Sequence, residues 1–110
     1  MINWETITSV DDIEAIKQKS FTTPCVIFKH STRCSISSIA KHRLETAWNL
    51  EDVSPFYLDL IAYREISNAI AQEFAIDHES PQILLIKNGI CVFDTSHLDI
   101  SVKHIAEKVA

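Results

Sequence analysis

Residues Ser80–Thr95 read SPQILLIKNGICVFDT. Pro81 leads straight into the apolar run Gln82–Ile86, and a second β-rich run, Ile90–Phe93, follows Lys87-Asn88-Gly89. Asn-Gly between two such runs is the strongest short hairpin signal, because both turn positions accept positive φ. The stretch therefore predicts two antiparallel strands near the end of the chain.

The segments before it follow a different rule. Cys25–His30 (CVIFKH), entered through Pro24, reads as a strand buried on both faces. From Cys34 to about Leu50 the pattern is helical, with Ile36, Ile39, Ala40, Leu44, Ala47 and Trp48 at three-and-four spacing. Pro55–Ile61 is the next strand, and Tyr63–Phe74 a third helix with Ile66, Ala69, Ile70 and Phe74 on one side. Nearer the start, Asn3–Ile7 is a short edge strand. The helix after it begins at Ser9, where Ser9 and Asp12 resemble a capping box and Val10, Ile13 and Ile16 form a narrow apolar stripe. Leu98–Val109 closes the chain as a helix, with Ser96 and Asp99 as candidate start signals. The order is β-α-β-α-β-α-β-β-α. Alternating strands and helices require parallel pairs, and the hairpin adds an antiparallel one. The expected fold class is α/β: a mixed sheet between two helical layers, in one domain spanning 1–110.

With 46% hydrophobic and 23% charged residues the composition is that of a globular chain, and its net charge of -5 argues against nucleic acid as a partner. The acidic N-terminus lacks the basic start and apolar core of a secretory signal. No apolar run approaches the roughly 20 residues of a membrane span. The expected location is the cytoplasm, with no membrane partner. A single glycine excludes the glycine-rich phosphate loops. Three cysteines in such a chain are packing residues, metal ligands or reactive thiols, not a disulfide framework.

Their places separate them. Cys25 and Cys91 lie inside apolar strands and read as buried hydrophobes. Cys34, in His30–Ser37 (HSTRCSIS), stands where a buried strand hands over to a helix. Free N–H groups at a helix start favour a thiolate. Arg33 adjoins it, Lys29 and His30 are near in sequence, and Ser37 is placed to offer a hydroxyl across the first turn. In a C-x-x-C site a second cysteine would occupy position 37. Serine there leaves a site that cannot close an internal disulfide. The alternative reading of Cys34 is a small residue in a tight turn. The histidines have no metal-ligand spacing, and no four-ligand site can be assembled.

Ile70–Gly89 (IAQEFAIDHESPQILLIKNG) is similar to the thioredoxin pattern of helix, loop, Ser-Pro, apolar strand and Lys-Asn-Gly. More narrowly, Phe28–Ser37 (FKHSTRCSIS) resembles the active-site stretch of the monothiol bacilliredoxin family, which usually reads Thr, any residue, Cys, Pro, Ile, Ser. Thr32, Cys34, Ile36 and Ser37 match, and Ser35 stands in place of proline. The resemblance implies a thioredoxin-like α/β/α fold with Pro81 in the cis form opposite the thiol. It implies a monothiol thiol–disulfide oxidoreductase in which Cys34 and Ser37 make the catalytic pair. Cys34 would take bacillithiol from mixed disulfides on cytosolic client proteins. Bacillithiol would be a co-substrate, with no tightly bound cofactor, and the protein a monomer or weak dimer. Arg33, Thr32, Lys29 and His30, with Lys41, would meet the carboxylates of bacillithiol, while Ser80 and Pro81 would pair with the client chain as an added strand. Thioredoxins that use two cysteines bury an acid six positions before the nucleophile, where this chain has Phe28. Two other readings stand beside this one: a thioredoxin-like binding module with an inert thiol, and an iron–sulfur cluster carrier using Cys34.

Overall fold

The computed structural model describes residues 2–110. Its elements are β1 (Glu5–Thr6), α1 (Asp11–Lys19), β2 (Cys25–His30), α2 (Ser35–Ala47), β3 (Ser54–Asp59), α3 (Arg64–Glu73), β4 (Gln82–Lys87), β5 (Ile90–Ser96) and α4 (Val102–Val109), with a 3₁₀ turn at His97–Asp99. The strands form one five-stranded sheet in the order β1-β3-β2-β4-β5. β1, β3 and β2 are parallel, whereas β4 runs antiparallel to β2 and β5 to β4.

Every residue of β2 is buried, as expected of a central strand covered on both faces. Its side chains alternate between two cores. Cys25 and Ile27 pack with Ile13 and Ile16 of α1, with Ile66 and Ile70 of α3, and with Phe74 just after it. Val26 and Phe28 pack with Ala40 and Leu44 of α2 and with Val102 and Ile105 of α4. This period of two decides which side of the sheet each residue near the thiol serves.

The hairpin forms as read. Lys87 pairs with Ile90, and Asn88 and Gly89 take φ of 54° and 80°. Its tip is tied to the end of α1: the Asn88 and Gly89 N–H groups donate to the Ser20 carbonyl at 3.0 Å and the Ser20 hydroxyl at 2.8 Å. A register shift between Leu85 and Ile86 adds a bulge to the pairing with β5.

Four local readings need correction. The capping box of α1 is half made: Asp12 accepts from the Ser9 N–H at 3.1 Å, while the Ser9 side chain makes no cap bond. On α2, Ile36 and Ile39 are exposed and the buried set is Ser37, Ala40 and Leu44. That helix stops at Ala47, before Trp48 turns extended and packs beside the Trp4 ring. The last helix starts later than Leu98. Neither Ser96 nor Asp99 caps it; Ser101 does, accepting from the His104 N–H at 3.2 Å, because the 3₁₀ turn intervenes. Among the described residues no helix is long and apolar enough to cross a membrane.

Candidate active site

Strands β2 and β3 run parallel and both end at the same edge of the sheet, where β4 begins. His30 closes β2, Ser31–Arg33 cross over, and Cys34 occupies the N-cap of α2 with extended backbone, φ −115° and ψ 123°. Cys34 is half-buried. The start of α2 carries no acidic residue, unlike that of α1, which has Asp11, Asp12 and Glu14. Its free N–H groups and positive dipole end have no carboxylate in the helix's own first turn to neutralise them. Ser35, the departure from the family stretch, is the first helical residue and is exposed. Proline is favoured at that position because the N–H there has no helical partner anyway. Serine fits the same slot and adds a donor.

Ser37 is placed differently from its expectation. It is fully buried, and its hydroxyl accepts from the Ser31 N–H at 3.0 Å and shares a hydrogen bond with His30 Nδ1 at 2.7 Å. It makes no hydrogen bond to Cys34 here. His30 is likewise removed from the surface, at 5% exposure. Its ring lies against Phe28 and Tyr57, with centroids 5.7 and 5.6 Å away. Burial pushes its pKa below the ordinary value, helped by the Lys41 charge and opposed by Asp59.

Lys29 is also corrected, by strand parity. It faces α3, fully buried, and its ammonium donates to the Ser67 carbonyl at 3.2 Å and to His78 Nδ1 at 3.3 Å. Burial lowers its pKa from 10.5 to about 8. It cannot meet a ligand at the Cys34 surface. Lys41 is bound to Glu45 at 2.8 Å, and Glu45 also accepts from Trp4 Nε1 at 2.9 Å. Arg33 and Thr32 are exposed beside Cys34, and Arg33 enters no ion pair among the described residues.

The peptide bond between Ser80 and Pro81 is cis. Lys29 pairs with Gln82 across β2 and β4, so Pro81 lies at the His30 end of the sheet. The loop ahead of it is anchored by two buried polar residues. Lys29 holds His78, and Gln82 donates to the Asp77 carbonyl at 2.9 Å while accepting from the Glu79 N–H at 3.2 Å. The Ser80 hydroxyl is buried and has no hydrogen-bond partner. Gln82 was not read as a site residue from sequence. The signal was there: an amide at the head of an otherwise apolar strand is a polar group that must find partners once buried.

Cys25 and Cys91 belong to the other end of the molecule; Cys25 is buried as read, but Cys91, on the outer strand β5, is only half-buried, like Cys34. Cys25 opens β2, and both Cys25 and Cys91 pair with Ile86. The length of β2 alone, about 3.3 Å per residue, puts Cys25 well beyond the roughly 7 Å Cα separation a disulfide tolerates. Burial pushes both thiols up to about 11. Among the described residues no group of three or more His, Cys, Asp and Glu side chains is placed to hold a metal ion. The site therefore has one accessible sulfur at a helix start, over a buried His–Ser pair, with the position of the thioredoxin acid filled by Phe28 stacked on Trp4 at 5.7 Å.

Solved structures agree with this architecture. A protein described as an oxidoreductase with a thioredoxin fold superposes with a TM-score of 0.84 at 28% identity, covering 96% of this chain and 92% of that one. Thioredoxin from Malassezia sympodialis (TM-score 0.74, 20% identity, 99% and 90% covered) and from Fasciola hepatica (0.71, 15%, 96% and 95%) share the fold. The family model for monothiol bacilliredoxin BrxC matches residues 5–105, the whole sheet, the first three helices and the first half of α4. A thioredoxin-fold chain with this match belongs to the monothiol bacilliredoxin family.

Proposed function

We propose that the protein is a monothiol thiol–disulfide oxidoreductase that removes bacillithiol from mixed disulfides on client proteins through Cys34. The Cys34 thiolate attacks the bacillithiol sulfur of a client–S–S–bacillithiol bond. A new Cys34–S–S–bacillithiol bond forms, and the client sulfur leaves as a thiolate. A second low-molecular-weight thiol then attacks the bacillithiol sulfur of the adduct, forms a disulfide with it, and releases Cys34 as a thiolate. No net electron enters the first step; the second consumes the external thiol.

The observation that carries this reading is the isolation of Cys34. The other two cysteines lie at the opposite end of β2, and Ser37 occupies the position from which a resolving thiol would act. The adduct must therefore be resolved from outside. Exposed Arg33 beside the sulfur is the guanidinium available to a bacillithiol carboxylate. The backbone beside the cis Pro81, at the His30 end of the sheet, is the place this reading gives to the client chain.

Intact mass after exposure to oxidised bacillithiol and, separately, to oxidised glutathione tests the reading. One bacillithiol adduct on wild type, none on Cys34→Ser, and loss of client de-thiolation in that variant are expected. Equal rates with both disulfides would remove the preference for bacillithiol. No adduct at all would remove the redox role.

A further inference from the structure

The loop that runs from α3 to Pro81 is fastened from two strands. Gln82 of β4 holds backbone, the Asp77 carbonyl at 2.9 Å and the Glu79 N–H at 3.2 Å. His78, between them, is held by its side chain. Lys29 Nζ of β2 lies 3.3 Å from His78 Nδ1 and 3.2 Å from the Ser67 carbonyl, and Ser67 Oγ is also 3.3 Å from that Nδ1.

The chemistry of an ammonium fixes the direction of the lysine contact. It has three N–H groups and no acceptor, so Nδ1 accepts and carries no proton. A proton on Nδ1 would face the ammonium across 3.3 Å with nothing there to accept it, and would set two positive charges together. Lys29 is fully buried in the central strand of the sheet, whereas His78 is half-buried on a loop. The ring is therefore the partner free to move. Loss of the lysine proton has no such effect, because a neutral amine keeps two N–H groups to donate.

We infer that Lys29 is a positioning residue for the client: through His78 it holds the backbone before Pro81 in place for pairing, and it releases that backbone when His78 takes up a proton. The inference rests on the reading that clients pair beside Pro81. Lys29 acts from the face of the sheet that packs on α3, away from α2 and Cys34. It sets how well the client is held and leaves the reactivity of the thiol alone.

The surroundings of His78 put the release on the acid side. Burial, Lys29 on β2 and Arg64 at the start of α3 disfavour the imidazolium, and Glu79 beside it opposes them, so the ring titrates below its ordinary 6.5. Asp94 on β5 reaches Gln82, at 3.3 Å, rather than the ring. The exposed pair of His97 with Glu79, at 3.6 Å, runs the other way, since it tightens as His97 gains charge. A His78 variant keeps that pair, so the difference from wild type belongs to the Lys29 contact.

Hydrogen exchange at the Glu79 N–H, whose bond to Gln82 Oε1 reports the loop, is the first test. Its protection factor should fall about tenfold as His78 titrates in wild type, as for one hydrogen bond to a charged group. In His78→Gln, whose amide oxygen accepts from the ammonium without titrating, protection should stay level over the same range. Lys29→Met should lower protection at neutral pH and raise the His78 midpoint followed by NMR. Wild-type protection that ignores the His78 titration, or a midpoint unmoved in Lys29→Met, would overturn the inference. His78→Gln leaves the buried lysine in place, so the comparison stands even where the Met variant folds poorly.

The second test is steady-state de-thiolation of a synthetic decapeptide whose one cysteine carries bacillithiol in a mixed disulfide. Loops belong to the low-stability end of a fold. For a contact closed about ten to one, a tenfold shift releases about half of the molecules and about doubles KM. Wild type should show that rise below the His78 midpoint and His78→Gln should not, with kcat equal in the two within about twofold. A kcat difference at equal KM would tie His78 to the thiol chemistry instead and sink the positioning role. Failed de-thiolation with the loop still coupled to His78 would remove the proposed reaction alone. De-thiolation at a KM indifferent to His78 would remove the positioning role alone.

Discussion

Lys29 and His30 are consecutive, both are basic, and both are buried, yet they serve different molecules in effect. Lys29 points under α3 and fastens the loop ahead of Pro81 through His78. His30 points under α2 and holds Ser37 in the turn that begins with Cys34. The one-residue offset moves a side chain through the sheet, from the core shared with α1 and α3 to the core shared with α2 and α4. Distance along the chain from Cys34 thus says less about a role than parity in β2. Of the cations clustered in sequence around the thiol, only Arg33 is exposed and unpaired.

The largest expected effect contrasts the thiols themselves. Cys25, and Cys91 packed against the same core, belong to the face of Lys29. With pKa values of about 11 they are thiolate to about one part in ten thousand at pH 7. Native labelling at pH 7 should give a single adduct, at Cys34, and three adducts in denaturant. A second native adduct, at half-buried Cys91, would show that its raised pKa does not protect it and would erase the contrast.

Next comes truncation of the lysine. Lys29→Ala removes a fully buried stem and leaves the Ser67 carbonyl and His78 without their donor. The expected cost is about 3–4 kcal/mol in urea unfolding, with the Cys34 alkylation rate changed by less than about twofold. A tenfold change in that rate would show the two faces to be coupled.

The lysine also sets a pH slope. Its pKa is about 8 folded and 10.5 in the unfolded chain, so between these values the unfolded state holds more protons. Stability from this group should rise as pH climbs from about 8 to 10.5, by ~2–3 kcal/mol. Lys29→Met should flatten the rise. An unchanged slope in that variant would show that the ammonium is solvated after all.

The smallest effect lies on the acid side. His30 and His78 both titrate below their ordinary value of 6.5 in the fold, so the unfolded state takes up protons first. Stability should fall as pH drops below 6.5 and through the folded values. Thermal unfolding across that range should show a shallower fall in His30→Asn, the remainder belonging to His78. No difference between the variant and wild type would place His30 in water rather than beneath α2.

Much of this was readable in the chain. The Asn88-Gly89 turn, the apolar run of β2 and the switch to helical spacing after Cys34 each report a local property: backbone freedom, burial on two faces, and period. Local signals survive into the fold when nothing tertiary competes with them. The edges of elements fared worse, since the end of α2 and the start of α4 depend on what Trp48 and the 3₁₀ turn pack against.

By itself, then, the sequence determined the order of elements, the single thiol at a helix start, and the lack of a second cysteine three positions on. It could not determine where hydroxyls and charges point. Ser37 bonds His30 rather than Cys34, Lys29 crosses to α3, and Gln82 pins the loop before Pro81. These partners are brought together only when β2 is enclosed between two helical layers. There a polar side chain loses its water and must take whichever protein donor or acceptor its side of the sheet supplies.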